Sequence, residues 1–158
     1  MTNDQKKITD PKQALAKAAK YCAYQERSHQ EVRDKLYEWG LWKKDVEEII
    51  LQLITDGYLN EERFAVAFAG GKFRIKKWGR IKIRIELKKK RVSDYCIRKA
   101  LEEIDDKEYL RTMKEITVKK LKEIRNMKYE IRNYKVARYV ISRGYEPELV
   151  WDLLREKE

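Results

Sequence analysis

Apolar residues recur at helical spacing in three segments of this chain, and the three segments follow one template. In the first copy the template positions are Val32, Leu36, Gly40, Leu41, Val46 and Ile50. The second and third copies hold Ile83, Leu87, Arg91, Val92, Ile97 and Leu101, then Val136, Val140, Gly144, Tyr145, Val150 and Leu154. Each copy predicts a helix, a tight break and a second helix. Their recurrence predicts a repeated unit stacked along the chain.

Residues suited to helix ends lie beside these segments. Five side chains are predicted N-caps, able to accept from free backbone N–H groups: Asp10, Ser28, Asn60, Ser93 and Asp105. The first is followed by Pro11 in the first helical position, and the second by Glu31 at the spacing of a capping box. Gly40 and Gly144 fall where a helix ends and positive φ is needed.

The segment in front of each template supplies one more helix, so we predict an all-α fold, an elongated array of three tandem three-helix repeats. The predicted helices span 11–25, 28–39, 43–56, 60–75, 78–90, 94–104, 106–128, 131–143 and 147–156. The predicted divisions are a flexible N-terminal tail (1–10), repeat 1 (11–57), a basic repeat 2 (58–104) and repeat 3 (105–158).

Residues 81–88 resist this interpretation, because apolar and charged residues alternate there as in a β-strand. The repeat favours a helix, since Ile83 and Leu87 align with apolar positions of the first copy. On a helix, Ile81 and Ile85 would lie on nearly the opposite face. A middle repeat between two neighbours could bury both faces.

Composition narrows the class of protein. An apolar fraction of 42% can build a core, while only six Gly and two Pro argue against a loop-rich or β-rich fold. No apolar stretch approaches the ~20 residues of a membrane span, and the first residues lack the apolar segment of a signal peptide. Cys22 and Cys96 are expected to be reduced packing residues. We therefore expect a cytoplasmic protein with no membrane partner.

The residues that usually carry catalysis are missing. His29 is the only histidine, which excludes a histidine-based triad or zinc site, and we expect it on the surface. The Gly-Gly-Lys at 70–72 is not a phosphate loop, because Val66 and Phe73 occupy positions that need Gly and Ser or Thr. Those glycines are predicted to loosen or end helix 60–75 and to permit close packing. We predict a binding protein that is not an enzyme and uses no cofactor, metal or small-molecule substrate.

Positive charge is concentrated in the middle of the chain. Residues 72–91 hold eleven basic side chains and one acid, whereas the formal net charge of the whole chain is +11. These candidate contacts for nucleic acid or a filament are Lys72, Arg74, Lys76, Lys77, Arg80, Lys82, Arg84, Lys88, Lys89, Lys90 and Arg91. A solvated helix face is the alternative, but such concentration favours a polyanionic partner. On a helix, Arg80, Arg84 and Lys88 would form one basic stripe.

Aromatic residues accompany the cations. Phe73 and Trp78 could stack on bases, although aromatics at helical spacing more often belong to a core, and we favour packing for both. Trp39, Trp42 and Trp151 fall at seams between repeats, where packing is also expected. The basic block contains no Asn or Gln, so sequence-specific reading of bases has little support.

Three ordered segments carry a family resemblance: RSHQEVRDKLYEWGL (27–41), DGYLNEERFAVAF (56–68) and WGRIKIRIELKKKRV (78–92). Together they resemble the RecX family of bacterial regulatory proteins. The matching positions are Arg27, Ser28, Glu31, Val32, Lys35, Leu36, Gly40 and Leu41, then Gly57, Tyr58, Leu59, Asn60, Glu61, Phe64 and Ala65, then Gly79, Ile83, Glu86 and Leu87. The resemblance covers about residues 27–105, and repeat 3 matches mainly in register.

The resemblance implies a modulator of the RecA recombinase, acting in DNA repair, recombination and the SOS response. Such proteins bind the RecA filament on single-stranded DNA, lie in its groove and restrain filament growth, ATP hydrolysis, strand exchange and coprotease activity. We expect RecA filaments and single-stranded DNA as partners, and a monomer. The alternative is a stand-alone, sequence-nonspecific helical DNA-binding protein. One departure stands out: Arg91 replaces the usual Gly, so its turn must accommodate a side chain or be less left-handed.

Overall fold

The computed structural model describes Ile8 and residues 10–156. In that part of the chain the regular elements are helical, with no strand, which confirms the all-α prediction. The α-helices are α1 (Pro11–Tyr24), α2 (His29–Glu38), α3 (Lys43–Thr55), α4 (Glu61–Gly71), α5 (Arg80–Lys89), α6 (Asp94–Glu102), α7 (Asp106–Glu123), α8 (Tyr129–Ser142) and α9 (Pro147–Glu156). A π-helical turn, Lys72–Lys76, continues α4.

The helices fall three by three along the chain as unit 1 (α1–α3), unit 2 (α4–α6) and unit 3 (α7–α9). The proposed boundaries after residues 57 and 104 lie in the loops between these groups, and we retain them as the proposed limits. Of the predicted flexible tail, residues 1–7 and 9 lie outside the described residues. Ile8 donates its N–H to the Trp39 carbonyl at 2.9 Å.

All five predicted N-caps are confirmed, since each side chain accepts from a backbone N–H of the helix it precedes. Ser28 Oγ, for example, accepts from the N–H of Glu31 at 3.0 Å. The predicted positive φ is also present, at 93° for Gly40 and 103° for Gly144. Local capping chemistry therefore fixes where α1, α2, α4, α6 and α7 begin and where α2 and α8 end.

Every apolar position of the template is buried, in all three copies. The first copy belongs to a core around Leu36 and Leu53, which unit 1 forms together with Leu59 just before α4. The other two copies share one continuous core, in which Ile83 and Leu87 of unit 2 join Val136 and others of unit 3. Units 2 and 3 therefore pack as one body, and unit 1 has a separate core.

The residues that alternate like a strand form α5, so the prediction of a helix is confirmed. Ile83 and Leu87 are fully buried and hold α5 to the core. The idea that both faces of α5 would be buried is wrong at Ile85, which is 49% exposed. Burial on one face is enough, since tertiary packing overrides the weak strand preference of isoleucine.

One predicted helix changes type before its end, and another ends early. The helix predicted over 60–75 changes at Gly71 into the π-helical turn, as expected of glycines that loosen a helix. The expected close packing is wrong at Gly71, where an added Cβ would meet no heavy atom within 4 Å. The helix predicted over 106–128 ends at Glu123, and residues 124–128 form the connection to α8.

Arg91 adopts the left-handed conformation, with φ 59°, at the position that glycine holds in the other two copies. We expected that this turn would either accommodate a side chain or be less left-handed, and the structure shows the first outcome. Arg91 donates its N–H to the Lys88 carbonyl at 2.9 Å, so the helix C-terminus is still closed. A residue with a Cβ pays a conformational cost there that glycine does not.

Candidate nucleic-acid and filament interface

The predicted basic residues occupy three elements of unit 2: the π-helical turn, α5 and the turn after it. Their surroundings differ strongly. Some are held by partners at the junctions between units, some pair with acids on their own helix, and some project into solvent. The structure therefore brings the predicted residues onto one unit without giving them one common role.

Arg80 is held at the junction of units 2 and 3. Its guanidinium bonds Glu146 at 2.9 Å and Asp106 at 2.7 Å, and lies 3.8 Å from the centre of the Tyr109 ring. Its backbone N–H donates to Tyr109 Oη at 3.1 Å. Binding a phosphate would require these bonds to break. The predicted stripe of Arg80, Arg84 and Lys88 is thus interrupted at its first member.

Tyr109 supports this junction from within the core. It is fully buried, and its hydroxyl donates to Glu146. Burial, and secondly this hydrogen bond to a carboxylate, raise the pKa of the Tyr109 hydroxyl well above its usual value. The hydroxyl therefore remains a donor to Glu146 while it accepts from the Arg80 backbone. The network ties α5, α7 and the start of α9 together.

Two lysines of the block lie over an aromatic side chain. The Lys72 and Lys82 ammonium groups lie 5.1 and 4.8 Å from the centre of the Trp78 ring, at cation–π distance. Trp78 is half-buried and packs against the core of units 2 and 3, while Phe73 is 5% exposed. Packing, the favoured interpretation of both aromatics, is confirmed. Their faces are not free platforms for bases.

The last lysines of α5 have acidic partners. Lys88 pairs with Asp94 at 3.7 Å and Lys89 with Glu86 at 3.2 Å, both on the exposed surface. Lys90 reaches unit 1, where it bonds Glu31 at 3.2 Å. Exposed pairs are weak and exchange readily, so Lys88 and Lys89 can change partner. Lys90 instead helps join units 1 and 2.

The remaining candidates are exposed and form no ion pair within the described part of the chain: Arg74, Lys76, Lys77, Arg84 and Arg91. They divide into a group at the π-helical turn and two residues on or after α5. Cations with no acidic partner give up least when they bind a phosphate. These five are the strongest members of the predicted set.

The structure adds three cations that the sequence analysis missed. Lys119 and Lys120 of α7 and Arg143 at the end of α8 line a cleft of about 410 Å³ together with Lys76 and Lys77. Arg143 donates to the Lys76 carbonyl, and Tyr145 Oη donates to the Lys77 carbonyl at 2.9 Å. The two units thus fix the backbone on which these lysines sit. Acids interspersed along 92–158 hid this cluster in the sequence.

The tryptophans predicted at repeat seams have different surroundings. Trp39 is 6% exposed in the core of unit 1, and Trp151 packs against the core of units 2 and 3. The prediction is wrong for Trp42, which is 82% exposed where α3 begins. The residue occupies the N-cap position of α3 without a side-chain cap bond, and its ring lies outside the core.

His29 and the two cysteines lie apart from the basic block. His29, expected on the surface, is half-buried, and its Nε2 is buried without a hydrogen-bond partner among the described residues. Burial lowers the pKa of His29, opposed by the carboxylate of Glu61 and reinforced by Arg33. Cys22 and Cys96 are free thiols, both buried, as expected of packing residues.

Two negative findings concern the described ranges only. Ile8 and residues 10–156 contain no cluster of three or more histidine, cysteine or acidic side chains placed to hold a metal ion. Across the same ranges, no helix combines the length and apolarity needed to cross a membrane.

Two family models match the first two units of the chain. The model of the first three-helix domain of RecX matches residues 14–53, and that of the second three-helix domain matches residues 60–101. These matches cover most of units 1 and 2, including the whole basic block of residues 72–91. Both descriptions agree with the three-helix organisation of those units.

Curated relatives extend the likeness over most of the chain. A regulatory protein RecX of Prosthecochloris aestuarii is 29% identical over 94% of this chain and 95% of its own. One of Pelodictyon phaeoclathratiforme is 30% identical over 90% of this chain and 87% of its own. The chain spans only 53% of a Bacillus cereus relative of the same name, which is 25% identical. The name describes a regulatory protein and no enzyme.

Solved structures support the fold. The crystal structure of RecX from Lactobacillus salivarius superposes with a TM-score of 0.85 at 22% identity, covering 92% of this chain and 95% of that one. A second structure, of a regulatory protein RecX, gives a TM-score of 0.83 at 20% identity over 92% of this chain and 71% of its own. With the matched domains and relatives, this chain belongs to the RecX family of regulatory proteins.

Proposed function

We propose that this protein binds the filament that RecA forms on single-stranded DNA and modulates it, mainly by inhibition. The recombinase, ATPase and coprotease activities of RecA would be the ones affected. Family membership over units 1 and 2 is the observation that carries the proposal, because it supplies the regulatory role that charge alone does not. RecA and single-stranded DNA are the proposed partners, in the cytoplasm, for a monomeric protein.

The charge distribution supports a polyanionic partner of this kind. Of the eleven cations of residues 72–91, the proposed contacts are the exposed ones that form no ion pair in the described part of the chain: Arg74, Lys76, Lys77, Arg84 and Arg91. Such side chains can neutralise phosphates without reading bases, which suits a partner that assembles on DNA of any sequence. The central position of unit 2 along the chain leaves the surface of unit 1, and the part of unit 3 away from unit 2, for protein contacts.

A second candidate is a stand-alone, sequence-nonspecific DNA-binding protein, which the same cations would favour. The two candidates differ in the effect of RecA. The test is fluorescence anisotropy with a labelled oligothymidylate, measured for the naked strand and for the strand filled by RecA. The proposal predicts tighter binding to the filament at physiological salt. If the naked strand binds equally well or better, the second candidate replaces it.

Salt dependence gives a further criterion for the second candidate. If about six to eight phosphates of a single strand are neutralised, a plot of the logarithm of the binding constant against the logarithm of the salt concentration has a slope of about −4 to −6. Contacts with RecA release fewer counterions per contact, so the filament complex should show a shallower slope than the naked strand.

A further inference from the structure

Three adjoining clefts lie along α4 and the π-helical turn that follows it. The cleft of about 410 Å³ beside Lys76 shares Ile75 and Lys76 with a neighbouring cleft of about 280 Å³. A third cleft, of about 410 Å³ and next to unit 1, shares three residues with that neighbour: Ala67, Phe68 and Lys72. We call these joined clefts the α4 groove. It extends from unit 1 across unit 2 to unit 3.

Charge along the α4 groove is uneven. At the end next to unit 1, Glu26 and Glu31 line it together with Lys72 and Lys90, so opposite charges balance. At the end next to unit 3, the lining residues are five cations and two acids: Lys76, Lys77, Lys119, Lys120, Arg143, Glu115 and Glu123. The Lys120 ammonium already bonds Glu123 at 3.3 Å. An excess of positive charge remains, and side chains of both unit 2 and unit 3 contribute to it.

The middle of the α4 groove, at Gly71 and Ile75, has free space above the backbone. An added Cβ at Gly71 would meet no heavy atom within 4 Å, and Ile75 is 78% exposed. The aromatic rings beside the groove are covered by ammonium groups, with Lys120 lying 4.5 Å from the centre of the Tyr139 ring. The groove therefore offers cations and small or aliphatic contacts, and few free faces for stacking. Such a surface fits a charged backbone whose bases point outwards.

The C-terminal half of α5 is a weaker candidate. Its exposed lysines Lys88 and Lys89 each have an acidic partner on the same surface, Asp94 and Glu86. Lys76, Lys77 and Lys119 have none within the described ranges, and they face a concave surface instead of a convex helix. A cleft with low-dielectric walls focuses the field of its charges more than a convex face does.

We propose that the α4 groove, at its unit 3 end, holds the phosphate backbone of single-stranded DNA. Lys76 and Lys77 of unit 2 would contact it from one wall, and Lys119 and Arg143 of unit 3 from the other. The inference depends on the proposed function for its ligand class, and deepens it by naming the path of the strand. A strand with a phosphate at every nucleotide can bind cations on both walls at once, which a single acidic group of a peptide cannot do.

Matched double variants test this path. Lys76→Gln with Lys119→Gln removes two groove cations, and Lys88→Gln with Lys89→Gln removes the same charge from α5. All four side chains are exposed, so both variants should keep the wild-type circular dichroism. Binding of labelled oligothymidylate should weaken about tenfold in the groove variant, and its salt slope should fall by about 1.4. The α5 variant should stay within about twofold of wild type.

The outcomes separate this inference from the proposed function. Equal losses in both variants, or a larger loss in the α5 variant, would overturn the groove. A wild-type protein that binds no oligothymidylate would also overturn it. A preference for polyglutamate of matched charge would overturn it too, because it would indicate an acidic protein segment as the ligand. Groove-dependent DNA binding together with unaltered RecA activity would support the groove and contradict the proposed function.

Discussion

Gly79 and Gly144 lie in direct backbone contact, and this contact joins units 2 and 3. The Gly79 N–H donates to the carbonyl of Arg143 at 2.9 Å, and the Ile81 N–H donates to the carbonyl of Gly144 at 2.9 Å. A Cβ on Gly79 would overlap the backbone of Gly144. The start of α5 thus fits against the turn between α8 and α9 only when neither side has a side chain.

Gly79→Ala should therefore destabilise the protein. Gly79 has φ −78°, which alanine adopts freely, so the cost is steric and should be about 1–3 kcal/mol of unfolding free energy. The matched control is Gly71→Ala, where a Cβ has free space in helical backbone and should add up to about 1 kcal/mol. Urea unfolding measures both. Equal effects of the two substitutions would show that the contact is not tight.

Arg80→Ala should cost about 2 kcal/mol of stability, because it removes the guanidinium that bonds Glu146 and Asp106 and lies over the buried Tyr109 ring. Arg84→Ala is the control, one turn further along α5, exposed and without an ion pair in the described residues. It should change the unfolding free energy by no more than about 0.5 kcal/mol. Urea midpoints that shift equally in the two variants would argue against a structural role of Arg80.

Arg91→Gly should stabilise the protein by up to about 1 kcal/mol, since glycine adopts φ 59° without the penalty of a Cβ. The reciprocal change, Gly40→Arg, places a side chain at φ 93° in the equivalent turn of unit 1 and should destabilise by about 1–2 kcal/mol. Thermal unfolding at constant pH compares them. Opposite signs are expected, and a loss in both variants would mean that the Arg91 side chain contributes more than its backbone costs.

His29 should make stability depend on pH in the range just below its ordinary pKa. Its folded pKa is lowered by burial, so the unfolded chain binds the proton first as pH falls below about 6.5. The stability present above that pH is then lost progressively on acidification. His29→Gln should lose less stability than wild type between pH 7.5 and 5.5, measured by urea unfolding. Parallel pH profiles would exclude this effect.

The sequence predicted much of the fold because the repeat and the capping residues indicate the helices, even where local alternation indicates a strand. Ile83 and Leu87 were assigned to a helix by the repeat alone, and the caps Ser28 and Asn60 bond as expected. The prediction for Trp42 was wrong because a place at a seam between repeats does not ensure burial, and the core of unit 1 closes without this ring.

The candidate site was less predictable, because it depends on pairings distant in sequence. The Arg80–Glu146 bond spans 66 residues, and no local pattern indicates that this arginine is engaged. Lys119 and Arg143 lie opposite Lys76 only after units 2 and 3 have packed together. Charge density indicated residues 72–91 as a candidate interface, while tertiary structure decides which of its cations are available.

The rate of ATP hydrolysis by RecA on single-stranded DNA tests most directly whether this protein regulates a RecA filament. The protein would be titrated into preformed filaments at fixed salt, and the hydrolysis rate followed continuously. Inhibition should appear at ratios well below one protein per RecA subunit. An unchanged rate across a wide titration, reaching excess over RecA, would contradict the proposed function.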